Sequence, residues 1–575
     1  MQKKIIRRNQ ISVDSNSLSD IHPILQRVYA TRNIQSLDQL DKDLARLLPY
    51  QSLLGIDKAV QLLADAVMKN QRMMVVGDFD ADGATSTAVA VRALKSFGAS
   101  NVSYLVPNRF AYGYGLTPEL VEVASNDRPD LIVTVDNGIA NHAGVDAAKA
   151  KGIRVLITDH HLAASTLPNA DAIVNPNQPN DLFQSKQLAG VGVIFYVMLA
   201  LRRYLANHNW FSDKKIPEPN MSLLLDLVAL GTVADLVQLD HNNRILVHQG
   251  LRRIRAGQCA PGIIALLELS SRDFARAVAS DLGFAVGARL NAAGRLDDMS
   301  LGIECLLCDD GMRAREIARK LDVLNEERKG IEQEMQFKAL EALNQLTQML
   351  KGELPRGLCL YDDDWHQGVI GILASRIKEK YNRPVIVFAP NQGDELKGSA
   401  RSVAGVHIRD VLAEMDALHP GLIIKFGGHA MAAGMSIKKE NFEKFSHVFN
   451  QLVCEKLSID DLQHALMSDG ELPPEYFNLE IAAMLRDAGP WGQAFPEPIF
   501  DDTFKIIEQR IVGDKHLKLR LSKDNKMVDA IAFFVDTNEW PNHRAESVRA
   551  AYRLDVNEYK GVSRIQLIVD YLEAE

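Results

Sequence analysis

Short apolar runs alternate with amphipathic stretches between residues 51 and 238. The runs MMVVG, LIVTV, RVLIT and AIV are rich in β-branched residues, and the helical patterns GATSTAVAVRALKSFG and HAGVDAAKAKG follow the first two. Continuous apolar strands that alternate with helices are typical of a mostly parallel sheet covered on both faces. The pattern therefore predicts an α/β domain in this part of the chain.

The pattern is different on either side of this region. Up to residue 50, ILQRVYATR and LDQLDKDLARLL have the spacing of amphipathic helices and predict a small helical lead-in. From 313 to 351, apolar residues recur at helical spacing without a proline. This spacing predicts one continuous helix, on the order of 60 Å long, that could bridge two domains.

Two further domains are predicted beyond this helix. GLCLY and PVIVFA have the composition of buried strands and indicate a second α/β unit. After a helical lead-in, five β-patterned runs from TFKIIEQRIV to RIQLIVDYL then fit a small OB-fold.

The predicted fold class is therefore α/β, with two α/β domains joined by a long helix and a C-terminal five-stranded OB-fold β-barrel. The predicted boundaries are 1–50 for the lead-in, 51–310 for the first α/β domain with a helical extension, 311–352 for the connecting helix, 353–455 for the second α/β domain and 456–575 for the barrel.

Composition narrows the class of protein. The 575 residues are 47% hydrophobic and 24% charged, as in ordinary folded proteins. The net charge of −9 excludes a globally basic nucleic-acid binder but permits local basic patches. Five cysteines, widely spaced apart from Cys305 and Cys308, argue against a disulfide framework. With no signal-peptide pattern and no membrane-spanning stretch, a cytoplasmic location without membrane attachment is expected.

Polar residues follow three of the apolar runs directly. They are Asp78, Asp80 and Asp82 after the first, Asp136 after the second, and Asp159, His160 and His161 after the third. Because the carboxyl ends of parallel strands meet at one edge of a sheet, these side chains are expected to lie close together. A single Asp there is often the N-cap of the next helix, but capping explains three strands poorly. The recurrence predicts a metal site.

The first acidic stretch has two other interpretations. An EF-hand loop would need a glutamate at its twelfth position, which is Val89 here, and a solvated acidic turn would not explain the recurrence. Carboxylates with imidazoles and no thiolate suit Mn²⁺ or Mg²⁺. Adjacent residues on an extended segment point to opposite sides, so one of His160 and His161 is predicted to bind metal and the other to contact substrate.

The number of carboxylates exceeds the need of one ion. Two divalent ions that share a bridging carboxylate would clamp the attacking and leaving oxygens of a phosphoryl displacement. Phosphodiester hydrolysis is the natural use of such a site. The sequence contains no Gly-Lys pair, so it has no Walker A loop.

Several motifs resemble those of a known family. GDFDADG, VTVDNG, TDHH and GTVADLV look like the four motifs of the DHH phosphoesterases, and DDWHQGVIGILASR, KGSARS and FGGHAMAAG resemble the DHHA1 domain of that superfamily. The resemblance covers nearly the whole chain. In motif order, spacing and length, the chain is most similar to the bacterial members that degrade single-stranded DNA from the 5′ end.

The resemblance implies a two-metal site holding Mn²⁺ or Mg²⁺. One ion would be bound by Asp78, Asp80 and Asp136, and the second by Asp82, Asp136, His160 and Asp235. Asp136 would bridge the two ions. His161 would contact the scissile phosphate, and Asp159 would support the imidazoles.

The resemblance also implies substrate contacts. Predicted contacts are Arg109 and Tyr114 on a Gly/Pro-rich loop, Arg289 and Asn291, Ser399 and Arg401 for the 5′ phosphate, and Gly427, Gly428 and His429 as a wall of the cleft. From the residues alone, several of these have an ordinary alternative. Arg109 could be a surface arginine on the loop, and Tyr114 could belong to loop packing. Arg289 and Asn291 could have helix-end roles, and the glycines could form a tight turn that enters a helix. A basic face of the barrel is also predicted, formed by Lys505, Arg510, Lys515, His516, Lys518 and Arg520. The alternative is a barrel that only closes a ring of domains.

The expected activity is hydrolysis of single-stranded DNA, 5′→3′, to 5′-mononucleotides in recombination and repair. The resemblance further implies contact with single-strand DNA-binding protein and a repair helicase, and a monomer. A phosphodiesterase for short oligonucleotides or cyclic dinucleotides is the alternative enzyme, but such proteins are shorter and lack the β module. A non-catalytic DNA-binding scaffold would be expected to have lost metal ligands, which are all present here.

Overall fold

A computed structural model describes residues 4–9, 18–108, 112–349, 354–391, 393–458, 460–463, 465–559 and 562–575. The chain forms two compact units. One consists of Met1–Ile6 and Asn325–Leu466, and the other of Arg7–Leu324 and Met467–Glu575.

Helices and strands of the described residues are numbered in chain order. The helices α1–α18 are Pro23–Ala30, Ile56–Met68, Ala81–Ser96, Pro118–Ser125, His142–Ala150, Gly190–Asn207, Trp210–Asp213, Leu225–Ala234, His241–Arg255, Pro261–Leu269, Ala279–Asp281, Ala288–Leu296, Ser300–Leu307, Gly311–Met349, Ile370–Tyr381, Ile408–Leu418, Phe442–Lys456 and Leu479–Asp487. The strands β1–β17 are Lys4–Arg7, Met73–Gly77, Val102–Leu105, Leu131–Val135, Arg154–Thr158, Ala172–Val174, Leu358–Tyr361, Val385–Pro390, Glu395–Arg401, Lys425–Gly428, Ala432–Lys438, Ala465–Ser468, Phe500–Val512, His516–Lys523, Lys526–Ala532, Ser547–Tyr559 and Val562–Ala574.

The larger unit contains a five-stranded parallel sheet in the order β3-β2-β4-β5-β6. Strands β2 and β4 are buried along their whole length, which explains their unbroken apolar sequences. Helices α3 and α6 pack into the same core as these strands. The parallel α/β domain predicted from the sequence is confirmed.

A second sheet lies in the smaller unit, in the order β10-β11-β9-β8-β7. Only β7 and β8 pair in parallel, and the remaining pairs are antiparallel. Helices α16 and α17 cover one face of this sheet through a separate apolar core. The second α/β domain is therefore confirmed as well.

The C-terminal strands form a closed barrel in the order β13-β14-β15-β17-β16. Leu517, Leu519 and Leu521 alternate along β14 and fill the interior. The predicted five-stranded OB-fold is confirmed, and the fold class is correct.

Helix α14 corresponds to the predicted connecting helix. Its 39 residues give a length of about 58 Å at the standard rise. No helix among the described residues has both the length and the apolar character needed to cross a bilayer.

The lead-in differs in part from the prediction. ILQRVYA forms α1, but LDQLDKDLARLL forms only two short 3₁₀ turns, Leu37–Leu40 and Leu44–Arg46. Asp43 caps the second turn by accepting a hydrogen bond of 2.8 Å from Ala45 N. Aspartates compete for backbone groups in this way and interrupt helices.

Candidate metal centre

The strand register brings the predicted polar residues together. Gly77 at the end of β2 pairs with Val135 at the end of β4, and Val135 pairs with Thr158 at the end of β5. The next residue in each case is an aspartate, so Asp78, Asp136 and Asp159 lie side by side at the carboxyl edge of the sheet.

The three acids of the first loop are held in different ways. Asp78 follows β2, and Asp80 is the N-cap of α3, accepting a hydrogen bond of 3.0 Å from Gly83 N. Asp82 lies in the first turn of α3, and its carboxylate accepts hydrogen bonds from Gly190 N (2.6 Å) and Val191 N (3.0 Å). These two N–H groups open helix α6, so its positive end stabilises the carboxylate.

Asp136 occupies the centre of the cluster with an unusual backbone. Its φ of 62° lies in the left-handed region, which aspartate tolerates better than most residues. Its N–H donates to Thr158 O at 3.0 Å, which fixes the turn after β4. A Cβ on Gly190 would lie 2.7 Å from Asp136 Oδ1, so only glycine fits beside this carboxylate.

The two histidines do not point to opposite sides of the chain. Their ring centroids lie 4.5 Å apart. The prediction assumed an extended segment, but the backbone turns after Thr158 because Asp159 Oδ1 accepts hydrogen bonds from His160 N (2.7 Å) and His161 N (3.1 Å). His161 Nδ1 also lies 2.7 Å from the same oxygen. The division of roles between the two rings remains a prediction.

Potential ligand atoms form three overlapping groups, in each of which they lie within 4.8 Å of one another. The groups are Asp78, Asp80 and Asp136; Asp82, His160 and Asp235; and Asp136, His160 and His161. His160 Nε2 lies 3.1 Å from Asp136 Oδ1 and 3.5 Å from Asp235 Oδ2. Asp235, which directly follows α8, thus joins residues from three strand ends.

Crowded carboxylates in a buried site resist ionisation. Burial and the neighbouring Asp235 raise the pKa of Asp82 to about 7. Burial and Asp80 raise the pKa of Asp235 to about 7. Burial and Asp82 raise the pKa of Asp136 well above its ordinary value. Without a counter-charge, these acids would hold protons near neutral pH.

The Asp159–His161 pair has the opposite character. Burial opposes ionisation of both groups, but their mutual attraction outweighs it: the pKa of Asp159 falls to about 2 and that of His161 rises to about 9. Burial and the adjacent His161 lower the pKa of His160. Neutral His160 is therefore suited to bind metal, whereas His161 is suited to carry charge.

The donor atoms fit a divalent cation. Asp136 Oδ1 and His160 Nε2 are buried and lie 3.1 Å apart, but neither atom makes a hydrogen bond among the described residues. Buried polar atoms are rarely left in this state, and a cation would satisfy both. Oxygen donors with one imidazole suit Mn²⁺ or Mg²⁺.

Tyr114 lies beside this cluster, and Arg109 falls outside the described residues. The Tyr114 hydroxyl lies 3.4 Å from Asp136 O and 3.3 Å from His161 Nε2. Its ring packs edge-on against Phe79 with centroids 5.9 Å apart. The ring remains partly exposed, so stacking on a base is compatible with these contacts.

The side chains of Arg289 and Asn291 both make hydrogen bonds to other residues of the protein. Arg289 is buried and donates to Asp322 Oδ1 at 2.8 Å. Asn291 Oδ1 accepts a hydrogen bond of 2.8 Å from Ala81 N, in the first turn of α3. These contacts give each side chain a structural role, and their predicted contacts with substrate remain untested.

The remaining predicted residues lie on the sheet of the smaller unit. Arg401 at the end of β9 donates to Ser399 Oγ (3.3 Å) and Ser375 Oγ (3.2 Å). Gly427 and Gly428 end β10, and His429 N donates to Ala432 O at 2.8 Å in the turn to β11. The glycine motif therefore forms a β-hairpin, and the alternative of a turn that enters a helix is wrong.

Sequence patterns missed some residues that shape these sites. Gly190 supports Asp82 and leaves room for Asp136, yet its only signal is a glycine before an apolar helix. Asn137 Nδ2 ties two strand ends by donating to Val76 O (3.1 Å) and Val135 O (2.9 Å). The only sequence signal for this role of Asn137 was its position next to Asp136. Ser375, which contacts Arg401, had no signal of its own.

Comparison with protein families agrees with this architecture. The model of the DHH family, N-terminal domain, matches residues 72–232. The DHHA1 domain model matches 354–455, and the RecJ OB domain model matches 468–571.

Similar proteins extend the match over the whole chain. Single-stranded-DNA-specific exonuclease RecJ of Escherichia coli is 53% identical over 567 residues, covering 98% of both chains. RecJ of Thermus thermophilus is 32% identical over 550 residues, covering 92% of this chain and 75% of that one. The crystal structure of RecJ from Thermus thermophilus in complex with Mn²⁺ superposes with a TM-score of 0.81 at 29% identity, covering 100% of this chain and 79% of that one. A second structure of that protein, with Mg²⁺, gives a TM-score of 0.75 at 26% identity, covering 100% and 78%.

The domain order, the site and the full-length similarity lead to one conclusion: this chain belongs to the RecJ family of DHH-superfamily proteins.

Proposed function

We propose that this protein is a metal-dependent exonuclease that degrades single-stranded DNA 5′→3′ to 5′-mononucleotides, in recombination and repair. The observation that carries the proposal is the cluster at the sheet edge, where groups of carboxylates and imidazoles share Asp136 and His160. The relatives described above are named single-stranded-DNA-specific exonucleases, which supports this choice of substrate.

The proposed site holds two ions, Mn²⁺ or Mg²⁺. Asp78, Asp80 and Asp136 would bind one, and Asp82, Asp136, His160 and Asp235 the other. When bound, such ions make water a nucleophile at neutral pH and offset the charge of the phosphodiester. The carboxylate of Asp82 accepts hydrogen bonds from two backbone N–H groups of α6. These bonds hold it beside His160 and Asp235.

Residues around the ions are assigned complementary roles. His161, held by Asp159 at 2.7 Å, presents its ring to the scissile phosphate. Asp159 is a positioning residue because it orients both histidines through their backbone N–H groups. Tyr114 stacks on a base near the cleaved bond, and Arg109 anchors a phosphate.

Polarity requires recognition of the 5′ end. Ser399 and Arg401 are proposed to bind the terminal phosphate, because the guanidinium fork is aligned by Ser375 and Ser399 and matches phosphate oxygens. Gly427, Gly428 and His429 form a hairpin where the backbone can approach a nucleotide closely.

The wider setting is proposed from the resemblance. The protein would act as a cytoplasmic monomer and contact single-strand DNA-binding protein and a repair helicase.

Digestion of end-labelled single strands tests the function. We expect 5′-mononucleotides to be released from the 5′ end with Mn²⁺ or Mg²⁺, and none to be released with a chelator. A dinucleotide should be a poorer substrate than a long 5′-phosphorylated strand. Preference for the dinucleotide, or digestion from the 3′ end, would overturn the proposal.

A further inference from the structure

A short loop with the sequence NPNQ follows β6 at the edge of the parallel sheet. The last residue of β6 pairs in register with the last residue of β5. Asn175 therefore lies beside Asp159, in the same row as the acids of the metal centre. Asn175 is 0% exposed, and a polar side chain buried so completely needs hydrogen-bond partners.

The two asparagines of this loop each hold one backbone carbonyl of the histidines. Asn175 Nδ2 donates a hydrogen bond of 2.9 Å to His161 O, and Asn177 Nδ2 donates one of 2.6 Å to His160 O. The asparagines are also bonded to each other, since Asn177 N donates to Asn175 Oδ1 at 2.7 Å. We call Asn175 and Asn177 the asparagine pair. An amide suits this arrangement because it offers a donor and an acceptor on one short side chain.

The histidine turn is thereby held from two sides. The carboxylate of Asp159 accepts hydrogen bonds from the backbone N–H groups of His160 and His161, and the asparagine pair donates to both carbonyl oxygens. All four backbone polar groups of the two histidines thus have partners. Because these bonds fix the backbone, they also fix the directions in which the two side chains leave it. The result places His160 Nε2 3.1 Å from Asp136 Oδ1.

The loop that carries the asparagine pair is itself ordered by hydrogen bonds. Asn177 Nδ2 also donates to Lys186 O at 3.2 Å, and Lys186 Nζ donates to Pro176 O at 2.7 Å. Gln178 N donates to Asn175 O at 3.1 Å. The ring of Pro176 restricts the backbone between the two asparagines. The pair is therefore held in place before metal or substrate binds, as precise support of a site requires.

An asparagine that follows a strand often does no more than close a turn. The bond from Asn177 N to Asn175 Oδ1 is of this kind. Such a turn uses only the side-chain oxygen, however. Both amide nitrogens are directed at the histidine carbonyls as well, which formation of the turn does not require. The contacts with the histidines therefore need a separate explanation.

We propose that Asn175 and Asn177 are positioning residues that hold the backbone of His161 and His160, and thereby place both imidazoles at the metal centre. The inference rests on the proposed function, in which His160 binds metal and His161 contacts the scissile phosphate. The contacts divide the two tasks: Asn177 supports metal binding, and Asn175 supports the contact with phosphate. Partners that orient metal ligands typically change metal affinity or activity about 10- to 100-fold when they are mutated.

Binding of Mn²⁺ to the full-length protein without DNA tests the role of Asn177. Electron paramagnetic resonance of free Mn²⁺ measures the affinity. Asn177→Ala should bind Mn²⁺ on the order of tenfold more weakly, because the turn that carries His160 loses one of its supports. Gln178→Ala is the matched control. Gln178 is buried in the same loop, and its amide donates to Leu54 O at 3.1 Å. The control should lose stability, measured by thermal unfolding, and keep the Mn²⁺ affinity of the wild type.

Digestion of a single strand at saturating Mn²⁺ tests the role of Asn175. Asn175→Ala should lower kcat on the order of tenfold and leave the Mn²⁺ affinity nearly unchanged. KM should also change little, because one displaced imidazole affects the cleaved bond more than the binding of a whole strand. Asn177→Ala should recover most of its activity at saturating Mn²⁺. A normal kcat of Asn175→Ala would overturn the role assigned to Asn175.

Two results on Mn²⁺ binding would overturn the role of Asn177. One is wild-type affinity of Asn177→Ala, and the other is equal weakening in Asn177→Ala and Gln178→Ala, which would show that the loop acts only through stability. Failure of the wild-type protein to digest single strands would instead overturn the proposed function. The Mn²⁺ affinities would still decide the inference in that case, because they are measured without hydrolysis.

A second variant covers the case in which Asn177→Ala does not fold. Asn177→Asp keeps the size of the side chain and replaces the donor with an oxygen. Its added negative charge would by itself favour a bound cation. Weaker Mn²⁺ binding by Asn177→Asp would therefore support the positioning role, whereas unchanged or tighter binding would overturn it.

Discussion

The backbone N–H of Gly190 donates a hydrogen bond of 2.6 Å to the carboxylate of Asp82, although 108 positions separate them in the sequence. This contact joins the start of α6 to the first turn of α3. The same glycine lies against Asp136, so one small residue determines the positions of two proposed metal ligands.

Gly190→Ala should reduce metal affinity and activity on the order of 10- to 100-fold, because the new methyl group would displace Asp136. Gly192→Ala is the matched control. Its methyl group would meet a terminal carbon of Leu188 at 2.9 Å, which can move aside. Titration of activity with Mn²⁺ measures the effect. Equal behaviour of the two variants would contradict the steric argument.

Asp136→Asn should abolish hydrolysis while much of the DNA binding remains. Asparagine tolerates the left-handed backbone, but it removes the charge proposed to bridge two ions. Digestion of a labelled strand and anisotropy measure the two properties separately. Near-normal hydrolysis would refute the bridging role.

Metal-free protein should become less stable as the pH rises. The pKa of Asp82 and Asp235 is about 7 in the folded protein and 3.8 for a free group, so the folded state binds these protons more tightly. The stability that this difference provides is complete below about pH 4 and is lost as the pH rises through about 7. Metal binding should therefore raise the unfolding temperature more at pH 8 than at pH 5. Thermal unfolding with chelator and with Mn²⁺ at both pH values tests this prediction. A metal-induced rise in unfolding temperature that is the same at pH 5 and pH 8 would contradict it.

Asn291→Ala should lower the stability of the protein around the metal centre. It leaves the buried N–H of Ala81 without an acceptor, at a cost of about 1–3 kcal/mol. We expect a lower unfolding temperature and a lower kcat, with KM nearly unchanged. Asn291→Asp retains the acceptor and should be closer to wild type. A raised KM with normal stability would instead support the predicted contact with substrate.

Arg401→Lys should weaken recognition of the 5′ phosphate, because lysine lacks the guanidinium fork. The ratio of digestion rates for 5′-phosphorylated and 5′-hydroxyl strands should fall on the order of tenfold. Arg383→Lys serves as the control, since Arg383 donates to Pro355 O at 3.0 Å in the same unit. If both variants keep the wild-type ratio, Arg401 does not bind this phosphate.

Local patterns were sufficient to predict most strands and the edge where the polar residues collect. The run MMVVG is buried throughout, so its sequence carries a strong signal. By contrast, β3 was missed: VSYL is short, lies at the edge of the sheet and is only half-buried. A half-exposed edge strand needs no continuous apolar run.

Contacts between distant residues could not be predicted in the same way. Asn291 meets Ala81 across 210 positions, and Gly190 meets Asp82 across 108. No spacing rule relates such pairs. The expectation that His160 and His161 point to opposite sides was wrong for a different reason. The carboxylate of Asp159 redirects the backbone that follows it.

The left-handed backbone at Asp136 limits which amino acids can evolve or be engineered at that position. Glycine, asparagine, aspartate and histidine are the residues best tolerated at a φ of 62°, whereas glutamate and cysteine would be strained there. Of these four residues, only aspartate offers an anionic ligand. Attempts to alter the preferred metal by exchanging this ligand would therefore meet a conformational barrier, and changes at the other ligand positions are the more promising route.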